Sequence, residues 1–140
     1  MKFVPLDPGC RPPACQTPGS AGYDLSACLT EPLLLPPGEM RMVPLGFAAE
    51  IPEGYAGFVF SRSGMGARGI VVAQGVGVID SDYRGGWMVP LRNLSEQYYF
   101  IQPGERIAQV IFMPVAAAVF TEAEALSETG RGSGGFGSTG

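Results

Sequence analysis

The chain has 140 residues, 46% of them hydrophobic, and a net charge of −4 from nine Lys and Arg against 13 Asp and Glu, with no histidine. That length supports one domain with a modest core, and nine scattered cations do not make the basic surface that a general nucleic-acid binder needs. The lack of histidine excludes Cys/His zinc sites and removes the commonest general base, leaving Asp, Glu, Tyr and Cys as candidates.

The N-terminus, MKFVPLDPGC, lacks the apolar run of a signal peptide, and no apolar stretch reaches the roughly eighteen residues of a membrane span. A soluble, cytoplasmic protein with no membrane or nucleic-acid partner is expected. Cys10, Cys15 and Cys28 are an odd number, the first two in a proline-rich stretch. A Cys10–Cys15 pair is conceivable, but free thiols in a reducing compartment fit better.

From there 21 glycines and 13 prolines cut the chain into short apolar runs: GFAAEI, GYAGFVF, GIVVAQ, WMVPLRNL, YYFI and RIAQVIFMPV. These are too brief for amphipathic helices and are bounded by turn signals at PPG, PEG, RGG and QPG. The pattern predicts an all-β domain, a jelly-roll-like barrel or sandwich with at most one or two short helices. Those helical turns are expected after Ser61, in RSGMGAR, and in TEAEALSE near the C-terminus. Pro90 has no N–H, so its strand is expected to lie at an edge, carry a bulge, or pass Pro90 at an unpaired position.

Three clusters carry possible chemistry. SRSGMGARG, residues 61–69, sets Arg62 and Ser63 among glycines, a reasonable phosphate cradle. QGVGVIDSDYRGG, residues 74–86, presents Asp80, Asp82 and Tyr83 at a strand end. Because Asp80 follows an apolar run, partial desolvation is expected to make it a better base, whereas Asp82 solvates the turn. Residues 130–140 are almost entirely Gly, Ser and Thr. Their G-x-G-x-x-G spacing at Gly132, Gly134 and Gly137 is no dinucleotide fingerprint, since no strand–turn–helix unit surrounds it. What remains is a strip of glycine amides with Arg131 for charge, Ser138 and Thr139 as hydroxyl donors, and Phe136 able to stack on a base.

In order, AGYDLSA (residues 21–27), RSGMGARGI (62–70), GVIDSDYRG (77–85), GERIAQVIF (104–112) and RGSGGFGSTG (131–140) resemble the five signature motifs of the dUTP diphosphatase family. The resemblance implies a hydrolase that converts dUTP to dUMP and pyrophosphate with Mg2+, built as a homotrimer of jelly-roll-like subunits with shared active sites. It also implies a β domain over residues 1–129 and a lid over residues 130–140. Carried onto this chain, it makes Asp80 the base that activates water and Tyr83 the ring under deoxyribose. It places Gln74, Gly77 and Met88 at the uracil-reading hairpin, with Phe136 stacked on the base. Phosphate contacts fall to Arg62, Ser63, Gly64, Gln109, Arg131, Ser138 and Thr139, Gly137 is a further substrate-binding residue, and Asp24 reaches the metal through water, the ion being held mainly by substrate phosphates.

Two other readings stand beside it. A dCTP deaminase relative shares the fold but resembles a pattern with a Glu on the strand after the third motif, and here WMVPLRN has none before Glu96. A non-catalytic nucleotide-binding trimer has no need of both Asp80 and the full tail.

Overall fold

A computed structural model of the chain describes residues 1–135. It contains eleven strands: β1 (Lys2–Pro5), β2 (Tyr23–Ser26), β3 (Leu33–Leu35), β4 (Met40–Pro44), β5 (Phe47–Glu50), β6 (Tyr55–Ser61), β7 (Ile70–Val72), β8 (Gly77–Ile79), β9 (Met88–Asn93), β10 (Tyr99–Ile101) and β11 (Arg106–Pro114). The one helix among the described residues, α1 (Ser63–Gly66), is a single turn after β6, where the sequence predicts one.

Every pairing is antiparallel. A four-stranded sheet runs β2–β11–β6–β8, a three-stranded sheet β4–β9–β7, and β1–β5 and β3–β10 form two-stranded ribbons. All six apolar runs picked out by the turn residues contain strands, and the all-β, jelly-roll-like expectation holds. Leu25, Leu35, Val43, Phe47, Ile70, Trp87, Leu91, Ile101 and Val110 are all buried in one core. Alternation along β5 and β9 places every second residue there, the period expected of strands with one covered face.

Pro90 is not on an edge strand, because β9 is the middle strand of its sheet. Ala73 donates its N–H to the Pro90 carbonyl at 2.8 Å, so the polar groups of Pro90 face β7. The return bond from a Pro90 N–H cannot exist, and β7 ends at Val72, one residue earlier. Proline thus stops the ladder where the chain must leave for the turn at Gln74.

TEAEALSE forms no helix; residues 115–129 are exposed and without regular structure. Two helical turns with no apolar surface to pack against do not overcome the unfavourable nucleation of a helix. Among the described residues the last backbone bond tying this segment to the barrel is Val115 N–H to the Gly54 carbonyl at 2.9 Å.

Candidate active site

Strand β11 pairs Gln109 with Asp24 of β2, and the register then slips between Arg106 and Ala108. This bulge lets Ile107 and Ala108 both face the core, and it returns Arg106 to the outer face that carries Asp24. Arg106 Nη1 there donates to Asp24 Oδ2 at 3.1 Å. Arg62, just past β6, donates from Nε to Asp24 Oδ1 at 2.7 Å and from Nη1 to the Arg106 carbonyl at 3.1 Å. One carboxylate, 11% exposed, therefore fixes two guanidinium groups.

These residues line a cavity of about 810 Å³, whose walls also hold Arg11, Arg68 and Glu105. Four of the chain's nine cations face two acids there, so the cavity is locally positive in a protein of net charge −4. Such a cleft suits a polyanion. Gly64 lies on its wall, while Ser63 and Gln109 line an adjoining hollow of about 290 Å³ with Asp24 and Arg62. The Gln109 amide donates to the Ser61 carbonyl at 3.1 Å. A side chain at Gly22 would meet Gln109 Oε1 at 2.5 Å, so glycine is what lets the amide lie flat there.

A second hollow, also about 290 Å³, lies around Val78, Asp80, Tyr83 and Met88. Asp80 follows the last residue of β8 and is exposed. The desolvation expected of it is not supplied by its own chain, since the preceding Val78 points outward at 59% exposure. The Tyr83 N–H donates to the Asp80 carbonyl, closing the turn, and its hydroxyl donates to the Gly86 carbonyl at 3.1 Å. Any side chain at Gly85 would strike the Tyr83 ring, so that glycine is the seat on which the ring rests. Gln74 sits in the exposed turn between β7 and β8, and a Cβ on Gly77 would lie 3.2 Å from its Nε2.

Candidate residues thus gather in two places. Asp24, Arg62, Ser63, Gly64 and Gln109 surround the arginine-lined cleft, and Asp80, Tyr83 and Met88 surround the smaller hollow, with Gln74 and Gly77 at the turn beside it. Ile79 pairs with Gly57 near the start of β6, whereas Arg62 follows its end. Six residue steps of extended chain from Ala56 to Arg62 separate the two groups by ~20 Å. Among the described residues Arg131 joins neither: its Nε bonds the Gly134 carbonyl at 2.8 Å within an exposed turn. Phe136, Gly137, Ser138 and Thr139 lie outside the described residues.

A sequence profile of the dUTPase family matches residues 11–140. The chain belongs to the dUTPase family. It is 46% identical to a deoxyuridine 5'-triphosphate nucleotidohydrolase of Desulfitobacterium hafniense, over all of this chain and 94% of that protein. It is 49% identical to one from Chlamydia pneumoniae, over 99% and 97% of the two chains. Among solved structures it resembles the dUTPase of Staphylococcus bacteriophage 80alpha with dUPNHPP, at a TM-score of 0.90 and 28% identity over 99% of this chain and 97% of that one.

Within this family fold, sequence reasoning passed over Arg11, Arg68 and Arg106. Arg68 and Arg106 stand inside the second and fourth motif strings, and that placement was the available signal. Arg11 had none, since only folding of the segment between β1 and β2 brings its Nη1 to the Gly104 carbonyl at 3.3 Å.

Proposed function

We propose that the chain hydrolyses dUTP to dUMP and pyrophosphate by in-line attack of water on the α-phosphorus, limiting uracil incorporation into DNA and supplying dUMP for dTMP synthesis. The observation that carries the reading is Asp80, a carboxylate with an open face, standing beside Tyr83 in a hollow at a strand end. Asp80 accepts the proton of the attacking water. Tyr83, held over Gly85, packs under the deoxyribose and leaves little room for a 2′-hydroxyl. The backbone near Gln74, Gly77 and Met88 reads the uracil edge. Arg62, Ser63, Gly64 and Gln109 hold the phosphate chain, and positioning with charge neutralisation supplies most of the rate.

Magnesium fits this chemistry as an ion carried by the substrate. An ion that keeps its waters and binds phosphate oxygens needs few protein ligands. Asp24 accepts three guanidinium hydrogen bonds of the roughly four a carboxylate can take, leaving capacity for one metal-bound water. When bound, the ion neutralises phosphate charge and fixes the geometry of the chain of phosphates.

The working unit is a homotrimer. The ~20 Å between Asp80 and the arginine cleft in one chain is too long for a single triphosphate to bridge with its α-phosphorus one water from Asp80 and its outer phosphates on the Ser63 and Gly64 amides. Assembly brings the Asp80 hollow of one subunit against the cleft of another. The nearly fully exposed Val119, Phe120 and Leu126 are surface that such an assembly covers. Residues 1–129 act as the β domain and 130–140 as the lid, with Arg131, Ser138 and Thr139 on phosphates, Gly137 against the nucleotide and Phe136 on the base. The site of action is the cytoplasm; no helix among the described residues is long and apolar enough to cross a membrane.

The test is release of pyrophosphate from dUTP, dCTP, dTTP and UTP with magnesium, by the wild type and Asp80→Asn. Turnover confined to dUTP, falling about a hundredfold or more in the variant with KM little changed, is the expected result. Equal turnover of UTP, ammonia release from dCTP, or near-normal activity of the variant contradicts it.

A further inference from the structure

The three thiols play no part in this chemistry, yet two of them are brought together by the fold. Cys28 follows β2 and its N–H donates to the Pro44 carbonyl at 2.8 Å. Cys10 lies in the strap before β2, where its N–H donates to the Asp7 carbonyl, and Asp7 in turn is held by the Gly46 carbonyl, both at 3.1 Å. The two backbones are therefore pinned to one turn, that between β4 and β5.

Gly46 sits in that turn with φ of +73°. A Cβ placed on it would lie 2.9 Å from the Cβ of Cys10 and 2.9 Å from the Cβ of Cys28. The two cysteine Cβ atoms are thus within twice 2.9 Å of one another, a ceiling that includes the 3.5–4.5 Å of a disulfide. Both residues are half-buried, so neither is sealed from a small reagent. Cys15, the nearer neighbour of Cys10 in sequence, turns elsewhere, its Sγ donating weakly to the Ser20 and Gly22 carbonyls at 3.7 and 3.6 Å.

We propose that Cys10 and Cys28 are a dithiol site that closes to a disulfide in exchange with a small disulfide of the glutathione type, tying the strap of residues 6–22 to the barrel. The Cys10 thiolate attacks one sulfur of the small disulfide, forming a mixed disulfide and releasing one small thiol. Cys28 then loses its proton to solvent and attacks the Cys10 sulfur, expelling the second small thiol. Two protein thiols lose two electrons and two protons, and the small disulfide takes up both. The order follows from Cys28 itself: burial, then its hydrogen bond to Asp7 Oδ1 at 3.4 Å, pushes its thiol up to about 11. It is a poor first attacker and becomes effective once the mixed disulfide is held beside it. The strap so tied includes Arg11 and Gln16, which line the arginine cleft, so the bridge stiffens one wall of the site.

The test treats the full-length native protein with excess oxidised glutathione, quenches with acid, alkylates the remaining thiols and maps the products by mass. Wild type and Cys15→Ser are expected to lose the alkylatable thiols of Cys10 and Cys28, to give a linked peptide joining them, and to unfold several degrees higher until dithiothreitol reverses the change. Cys10→Ser and Cys28→Ser should form no internal bridge. Three free thiols after oxidation, a bridge that includes Cys15, glutathione adducts without an internal bridge, or a bridge that lowers the unfolding temperature would each overturn the proposal.

Discussion

Asp24 is the residue on which the cleft is organised. It is nearly buried, and both of its oxygens accept from guanidinium groups on two different strand ends. Replacing it with Asn keeps the volume and removes the charge, leaving Arg62 and Arg106 close together without a counter-ion. Asp24→Asn is expected to lower stability by about 1–3 kcal/mol in urea unfolding and to raise KM for dUTP by about tenfold, with Asp24→Glu recovering part of both. Stability and KM both unchanged would show that the two arginines need no anchor. Tyr99 offers a separate check on the neighbouring packing. Burial raises its phenol above the ordinary range, and its hydrogen bond to Glu105 adds to this. The fold therefore favours the neutral phenol, a contribution complete below the unfolded value of about 10 and lost as pH climbs through the folded one. Unfolding temperatures measured from pH 9 to pH 11.5 should fall more steeply for wild type than for Tyr99→Phe; parallel profiles would contradict this.

At the scale of elements, turn residues made most strands legible. Gly38, Gly54 and Gly104 all adopt positive φ in the PPG, PEG and QPG turns, so the glycines mark real chain reversals. Two things were not legible. TEAEALSE has helix-forming residues, but helix formation depends on a packing surface that local composition does not report. The Arg106–Asp24 contact depends on a register slip at Ile107, and a slip is a property of two strands rather than of either one alone. Within the single chain Asp80 is exposed, because the apolar run before it has an outward member in Val78. The C-terminal segment gives a direct prediction at this scale. Val119, Phe120 and Leu126 are more than 90% exposed, and among the described residues Arg131 bonds only within its own turn, so the described part of this segment adds nothing to the core of its own subunit. Deleting residues 131–140 should leave the circular dichroism spectrum and trimer size intact while reducing dUTP turnover severely. Loss of folding in that truncation would refute the lid.

For the molecule as a whole, we propose that no single chain owns a complete active site. The sequence motifs suggested this only through family likeness; the length of β6 supplies a physical reason, since it sets the Asp80 hollow and the arginine cleft at opposite ends. The direct measurement is to mix two inactive variants, Asp80→Asn and Arg62→Ala, under conditions of subunit exchange, and to follow dUTP turnover. If each site takes Asp80 from one subunit and Arg62 from another, random mixing leaves both intact in about a quarter of sites, and activity should rise from near zero towards that fraction of wild type. Mixed trimers that form, as verified by mass, and yet recover no activity would show that Asp80 and Arg62 of a site come from the same subunit.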